Sequence, residues 1–305
     1  MSTAQHPTTT TTTSTSTSTA PSGVRGPERV LLATDGGMAG VAAVRWLAER
    51  SVHHSLEIEA VRVVPGGGTV LSGGAAADLV DAEGSMTEVR DLLHHLAPRS
   101  AVRTEVVPGE AIDVLHRRAA GADLVVVGTN RTSRGVPHLV ASFAARLVDG
   151  SARPVVIVPR GWTPSAGPVV LGALADGSDD AAIGFAAAEA AALGRHLVLV
   201  HAWRIAALSA PGGGIDLDEQ AIESAESAKL SELSDRLRTA HPGLRVAPVL
   251  DRDDPVHALA VASRGAVLVV LGTHGLTAVD RLLLRSVSRE VLERPACPVA
   301  IVPHP

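Results

Sequence analysis

The sequence predicts an α/β protein of two tandem domains, each a five-stranded parallel-type sheet with helices on both faces. Three observations carry that prediction. The first is a repeat: LVVVGTNRTSRGVPHLVASFAARLVDGSARPVVIVP (124–159) and LVVLGTHGLTAVDRLLLRSVSREVLERPACPVAIVP (268–303) keep a constant offset of 144 residues. Upstream, VLLATDGG (30–37) is echoed by LGALADGS (171–178), which sets Asp35 against Asp176 at an offset of 141. Solenoid units are about 20–50 residues long, so a repeat of this size is a duplicated globular domain. The second is the strict alternation of strand-like and helix-spaced segments in both copies, the pattern of βαβ units. The third is the fourth strand of each copy, a run of Val and Leu without polar alternation. Strands have that composition when helices cover both faces of a parallel sheet.

Each element has its own reason. In the first copy Val30–Ala33 is a short apolar run stopped by Thr34-Asp35-Gly36-Gly37, a strand entering a turn. Gly40–Ala48 carries apolar residues at helical spacing. Ile58–Val64 alternates and stops at Pro65 and the glycines after it, and Leu79–Leu96 is a helix with Leu92, Leu93 and Leu96 on one face. Val102–Val107, Ala111–Ala119, Leu124–Val127 and Ala141–Val148 follow as strand, helix, strand and helix. Val155–Val158, between Pro154 and Pro159, closes the copy. The second copy repeats this order with Val169–Leu174, Ala181–Leu193, Leu197–Trp203, Leu217–Thr239 and Val246–Leu250. It continues with Val256–Ala262, Val267–Leu271, Ser286–Leu292 and Val299–Val302.

Residues 1–26 are a Thr/Ser tract with nothing to bury and are expected to form a disordered tail. The domains are expected to span 27–160 and 168–305, joined by the Pro- and Gly-bearing linker 161–167. Each then matches a single-core unit of about 100–150 residues. With 46% hydrophobic but only 2% aromatic residues, both cores must be built from Val, Leu, Ile and Ala. The net charge of −5 carries no electrostatic footprint for nucleic acid. A single cysteine, Cys297, excludes an intramolecular disulfide and fits a reducing compartment. No run of about 20 apolar residues offers a membrane span. The N-terminus has neither the charged start nor the apolar centre of a signal peptide. The expected location is cytoplasmic, with no membrane or nucleic-acid partner.

In open α/β sheets, ligands bind outside the carboxyl ends of the strands, where the strand order reverses. Two loops per copy reach that point: Thr34–Gly37 with Gly128–Ser142, and Ala175–Ser178 with Gly272–Ser286. The last of these enters a predicted helix whose first turn holds Ser286, Val287 and Ser288. Glycines before a helix N-terminus make an anion site, because free N–H groups and the helix dipole both favour phosphate. Asp176 at its strand end can accept from a ribose hydroxyl or hold a hydrated cation. As part of an ordinary Asp-Gly pair it is, like Asp35, equally a turn former or helix cap.

Other chemistries lack their residues. The one lysine, Lys229, lies in a predicted helix away from any glycine-rich phosphate loop. That removes P-loop, protein-kinase and pyridoxal-phosphate chemistry. No Gly-x-Gly-x-x-Gly follows a strand, and the chain has no Gly-x-Ser-x-Gly elbow or His-Glu-x-x-His pair. His53-His54 and His94-His95 are adjacent pairs, which point about 100° apart around a helix and chelate poorly. No base–nucleophile pair is identifiable, so the chain reads as a binding module and not as an enzyme.

The arrangement resembles the universal stress protein family, whose nucleotide-binding members carry Gly-x-x-Gly-x(9)-Gly-[Ser/Thr] after the fourth strand. Gly272-Thr-His-Gly275, nine residues, then Arg285-Ser286 follows that signature with Arg285 in place of the third glycine. VVLGALADGS and LVLVHAW are similar to the family at the first and second strands, and the likeness covers about residues 28–304 in two copies. It implies a Rossmann-like (adenine nucleotide alpha hydrolase-like) fold, a role in stress response, and ATP, with or without Mg, as the cofactor. Carried over residue by residue, it implies that Ala175 and Asp176 face base and ribose and that Ala202 lines the adenine pocket. Leu271, Gly272 and Gly275 would flank ribose and phosphates, and Ser286, Val287 and Ser288 would bind phosphate beside Arg285. Thr34, Asp35, Val63, Gly128, Arg131 and Ser142 are the weaker counterparts in the first copy.

There Arg131 and Ala141 replace two glycines, which forfeits easy positive φ, while Arg131 and Arg134 can meet phosphate directly. The second copy is therefore the expected site. The family also associates through its last strand, so Val155–Val158 and Val299–Val302 are expected to pair the domains as an internal pseudo-dimer. A homodimer of whole chains is a further expectation. Two other readings use the same loops. One is a scaffold that has lost nucleotide, with Arg285 as the obstruction; the other is slow ATP hydrolysis or autophosphorylation at Ser286 or Ser288.

Overall fold

The structure, a computed structural model, describes residues 26–66, 73–129, 137–174, 179–203, 218–252, 255–273 and 297–304. The first copy runs β1 (Glu28–Ala33), α1 (Met38–Ser51), β2 (Leu56–Val64), α2 (Gly73–Leu96), β3 (Ala101–Pro108), α3 (Ala111–Ala119), β4 (Leu124–Thr129), α4 (Pro137–Asp149) and β5 (Val155–Pro159). The second runs β6 (Val169–Gly172), α5 (Asp180–Ala192), β7 (Leu197–Ala202), α6 (Glu219–Ala240), β8 (Val246–Asp251), α7 (Pro255–Ala262), β9 (Leu268–Gly272) and β10 (Val299–Val302). Among the described residues the expected elements are present with shifted ends. The largest shift is α2, which begins at Gly73 and not Leu79, because GGAAAD carries no apolar period to reveal a helix. The helix expected at Ser286–Leu292 and residues 1–25 of the tail lie outside the described residues.

Strand order is β3-β2-β1-β4-β5-β10-β9-β6-β7-β8. Within each copy the five strands are parallel and in the same order. The two last strands meet antiparallel, with Val299 opposite Ile157, Ala300 opposite Val156 and Ile301 opposite Val155. The domains thus pair through the expected strands. The expectation of two separate sheets is corrected, because this pairing carries backbone hydrogen bonding across the boundary and makes one sheet of ten strands. Every residue of β5 and β10 is buried; left open, such an edge would present apolar side chains and unpaired backbone groups together. The outer edges are guarded differently, by Arg103 and Glu105 on β3 and by Pro248 on β8.

Alternate strand residues face opposite sides of the sheet, and two cores result. On one face α1, α2, α5 and α6 cover Leu32, Val126, Val156, Leu171, Val270 and Ala300. On the other, α3, α4 and α7 cover Leu31, Val125, Ile157, Val200, Val269 and Ile301. Each core contains residues of both copies, so the seam is packed as well as hydrogen-bonded.

Candidate functional site

β1 is flanked by β2 and β4, and β6 by β7 and β9. The chain leaves these two strands toward opposite neighbours, and a crevice opens beyond their C-terminal ends. In the first copy Thr34 Oγ1 accepts from Gly36 N at 3.0 Å and Asp35 Oδ1 accepts from Gly37 N at 2.8 Å. This tight turn delivers the chain into α1. Asp35 is exposed and Thr34 half-buried. Gly36 takes φ +79°, with Ser85 of α2 over it, and only glycine fits there. A Cβ on Gly128 of β4 would stand 2.0 Å from the Ala39 carbonyl oxygen. That glycine therefore lets strand and helix approach. Val63 is half-buried near the end of β2, and Ser142 lies on α4; Arg131 lies outside the described residues.

In the second copy β9 ends in buried Leu271 and half-buried Gly272. A Cβ on Gly272 would meet Asp179 Oδ1 at 2.4 Å, so this glycine makes room for the buried residue that precedes α5. Ala202 closes β7 opposite Asp251. The structure thus brings Ala202, Leu271 and Gly272 to the C-terminal strand ends on either side of β6. Ala175, Asp176, Gly275, Arg285, Ser286, Val287 and Ser288 lie outside the described residues. Among the described residues, no three His, Cys, Asp or Glu side chains converge on a metal position, and no helix is long and apolar enough to cross a membrane.

Backbone pairing fixes which residues of the copies correspond. Val30 stands opposite Leu124, and Val169 opposite Leu268. Thr34 N donates to Val61 O at 3.1 Å, and Ala173 N donates to Val200 O at 2.9 Å. The first strands therefore match at an offset of 139, whereas the Asp-Gly pairs match at 141. Two additional residues separate the second strand end from its Asp-Gly pair. The two Asp-Gly pairs are thus two residues out of step with the strand register; Asp176 itself lies outside the described residues. By the same register Ala202 corresponds to Val63.

The Universal stress protein family matches the chain twice, over residues 27–159 and 168–303. The chain belongs to the universal stress protein family. A universal stress protein of Mycolicibacterium smegmatis is 29% identical over 289 residues, covering 90% of this chain and 96% of that one. Universal stress protein Rv2623 of Mycobacterium tuberculosis is 28% identical over 204 residues, 66% of this chain and 68% of its own length. Among solved structures, a universal stress protein from Archaeoglobus fulgidus is similar in fold, with a TM-score of 0.65 at 18% identity over 91% of this chain and 96% of that one.

For a universal stress protein of two repeats, the register exposes a pair of polar residues that sequence reasoning missed. Arg62 of β2 and His201 of β7 occupy corresponding positions, one residue before Val63 and Ala202. Arg62 donates to Ser85 and pairs with Asp81 at 3.0 Å, both on α2. His201 is buried, with Nδ1 2.8 Å from Ala173 O and Nε2 2.9 Å from Glu226 Oε2 on α6. Glu226 also accepts from Lys229 at 2.8 Å; that bond first, and His201 after it, hold the carboxyl below the usual range. Each residue ties a strand end to the helix that covers it. The available signal was one polar side chain in a short apolar stretch, AVRVV at the end of β2 and LVLVHA in β7.

Proposed function

We propose that the chain is an ATP-binding regulatory protein of the stress response, with the nucleotide in the crevice of the second repeat. The observation that supports this reading is the switch point beside β6, where Ala202, Leu271 and Gly272 gather at strand ends and α5 begins. From Gly272 the sequence runs on through Gly275 to Arg285 and the Ser286-Val287-Ser288 segment. Small residues and backbone amides hold a phosphate chain without activating a nucleophile, so the protein acts as a binding module and not as an enzyme. In the first repeat, Arg131 occupies the second glycine position, which disfavours that crevice.

Calorimetric titration of the full-length protein with ATP and Mg tests the reading. One ATP per chain is expected, lost in Gly275→Val and retained in Arg131→Ala. Arg285→Gly reports the role of the departing residue: tighter binding means that the side chain obstructs, weaker binding that the guanidinium pairs with phosphate. A charge-assisted bond contributes about 1.5–3 kcal/mol, enough for calorimetry to resolve the sign. Two equal sites, or binding unchanged by Gly275→Val, refutes the placement, and no binding at millimolar ATP favours the scaffold.

A further inference from the structure

We propose that His201 is a positioning residue of the second crevice: as a doubly protonated imidazolium it fixes the end of β6, and occupancy of that crevice is thereby linked to the uptake of a proton. The inference rests on the ATP reading of the crevice and names its regulation. His201 is buried near the end of β7, one residue before Ala202, and its two ring nitrogens reach two different elements. Nδ1 lies 2.8 Å from the carbonyl oxygen of Ala173, where the chain leaves β6, and Nε2 lies 2.9 Å from Glu226 Oε2 on α6.

The partners decide the charge of the ring. A carbonyl oxygen only accepts, so Nδ1 must carry a proton. Glu226 Oε1 accepts from Lys229 at 2.8 Å, and Lys229 first, with His201 after it, holds this carboxyl below its usual range. Glu226 is therefore ionised and also only accepts, so Nε2 must carry a proton as well. A neutral imidazole has one N–H and can meet only one of these acceptors. Its bare nitrogen would then face either the full charge of Glu226 or the neutral carbonyl of Ala173. The charge-assisted bond is the stronger, so the neutral ring keeps Nε2–H on Glu226 and turns a lone pair on Ala173 O. Ala173 is buried, which leaves that oxygen poorly placed to exchange the lost donor for water. The end of β6 then loses the bond that fixes it, between β7, which carries Ala202, and β9, which carries Gly272.

Among the described residues, Lys229 and His201 are the cations that act on Glu226. β6 carries no titratable side chain. At the end of β8, Asp251 stands opposite Ala202, and Arg252 pairs with Glu219 at 2.6 Å and Glu223 at 3.7 Å on α6. α5, on the same face of the sheet, begins at Asp179 and Asp180 and turns Glu189 to Arg50. α7, with His257, covers the opposite face. The first repeat has Arg62 at the position of His201, on Asp81 and Ser85 of α2. A guanidinium keeps its charge where a histidine loses it, so the proton dependence belongs to the second crevice alone.

Side-chain ¹⁵N NMR of the full-length protein without nucleotide reads the ring, with His201→Gln identifying its signals. Two protonated nitrogens are expected at about pH 6 and only Nε2–H at about pH 9, limits that enclose ordinary histidine titration. The ¹³C signal of the Ala173 carbonyl should move over the same range. Calorimetry with ATP and Mg should show affinity at least about tenfold lower at the higher pH, with proton uptake on binding there. Glu226→Gln offers an amide N–H to the bare Nε2 of a neutral ring, so Nδ1 keeps Ala173 O and affinity should vary by less than about threefold across the range. His201→Gln has no such proton to lose, and the ratio of parent to variant removes the ionisation of ATP itself. A merely structural His201 would leave that ratio constant with pH. A singly protonated ring at the lower pH, or a parent profile parallel to that of His201→Gln, overturns the proposal. If ATP binds at neither pH while the His201 and Ala173 signals titrate together, the nucleotide reading falls and the proton-dependent tie stands.

Discussion

Arg50→Met and Glu189→Ala probe how the two repeats are held together. Arg50 lies on α1 of the first repeat with 4% of its side chain exposed, and Glu189 lies on α5 of the second with 5%. Glu28, the other partner, keeps 22%. Burial alone would lower the Arg50 pKa, but Glu189 and Glu28 outweigh it and hold it raised, so the cation persists throughout folding experiments. An intact buried pair adds little net stability, because desolvation offsets attraction; removing one partner is different, since the other stays buried and uncompensated. Arg50→Met deletes four hydrogen bonds and strands the Glu189 carboxylate away from water. Losses of this kind are about 3–5 kcal/mol. At about 2 °C per kcal/mol for a chain of this size, Tm should fall by about 6–10 °C.

Glu189→Ala should cost less, about 1.5–3 kcal/mol, because Arg50 keeps both bonds to half-exposed Glu28. The double variant Arg50→Met with Glu189→Leu should recover most of the loss, since apolar replacement of a buried pair is often near neutral. Urea denaturation of the parent, Arg50→Met, Glu189→Leu and the double variant, followed by far-UV circular dichroism, gives the four corners of this cycle. If Arg50→Met lies within about 0.5 kcal/mol of the parent, or the two changes are additive, the picture of a buried ionic contact across the repeat boundary is wrong.

Three further outcomes are expected. Gly128→Ala should destabilise more than Gly272→Ala, because its Cβ meets a backbone carbonyl at 2.0 Å while the other meets a carboxylate that can rotate, at 2.4 Å. Overpacking of this kind costs about 1–3 kcal/mol, and urea midpoints rank the two. Burial pushes the Cys297 thiol up to about 12. The thiolate is the reactive form, so a thiol reagent at pH 8 should label native protein negligibly and urea-unfolded protein fully. The His54 pKa is lowered on folding, so below its unfolded value of about 6.5 the folded state binds fewer protons than the unfolded chain. Its contribution is complete above that value and lost as pH falls through the window beneath it. His54→Leu should therefore flatten the decline of stability from about pH 6.5 to 5, and an unchanged slope removes the assignment.

The strands and helices were legible because their signals are local. Leu124–Val127 has no polar residue to face water, and Ile112, Val114, Leu115 and Ala119 repeat at helical spacing. The seam was legible too, in apolar last strands closed off by prolines. What local pattern could not give was the register of β6. VVLGALA reads as one apolar run, so the strand was expected to reach Leu174, whereas the ladder ends at Gly172 and the rest belongs to the loop. The echoed Asp-Gly pair then hid the two additional residues, which cross-strand hydrogen bonds reveal. Arg50 and Glu189 were hidden for another reason. Each looks like a solvated helix charge, and the partners are 139 residues apart in sequence.

These same features make the two crevices unequal beyond their glycines. In the first, Thr34 and Asp35 close a short turn upon their own backbone, and Arg62 holds the strand end to α2 with a permanent charge. Among the described residues, Thr34, Asp35 and Arg62 there already have a structural use. In the second, the loop between β6 and α5 (173–179) is three residues longer than that between β1 and α1 (34–37), and its first carbonyl, Ala173 O, is held by His201, whose other nitrogen meets Glu226. Antiparallel pairing of β5 with β10 also turns the strand ends of the two repeats in opposite senses along the seam, so one bound nucleotide cannot span both crevices. An effect of the second crevice on the first must therefore pass through what joins the repeats: the β5–β10 ladder, the shared cores, and Arg50 on Glu189.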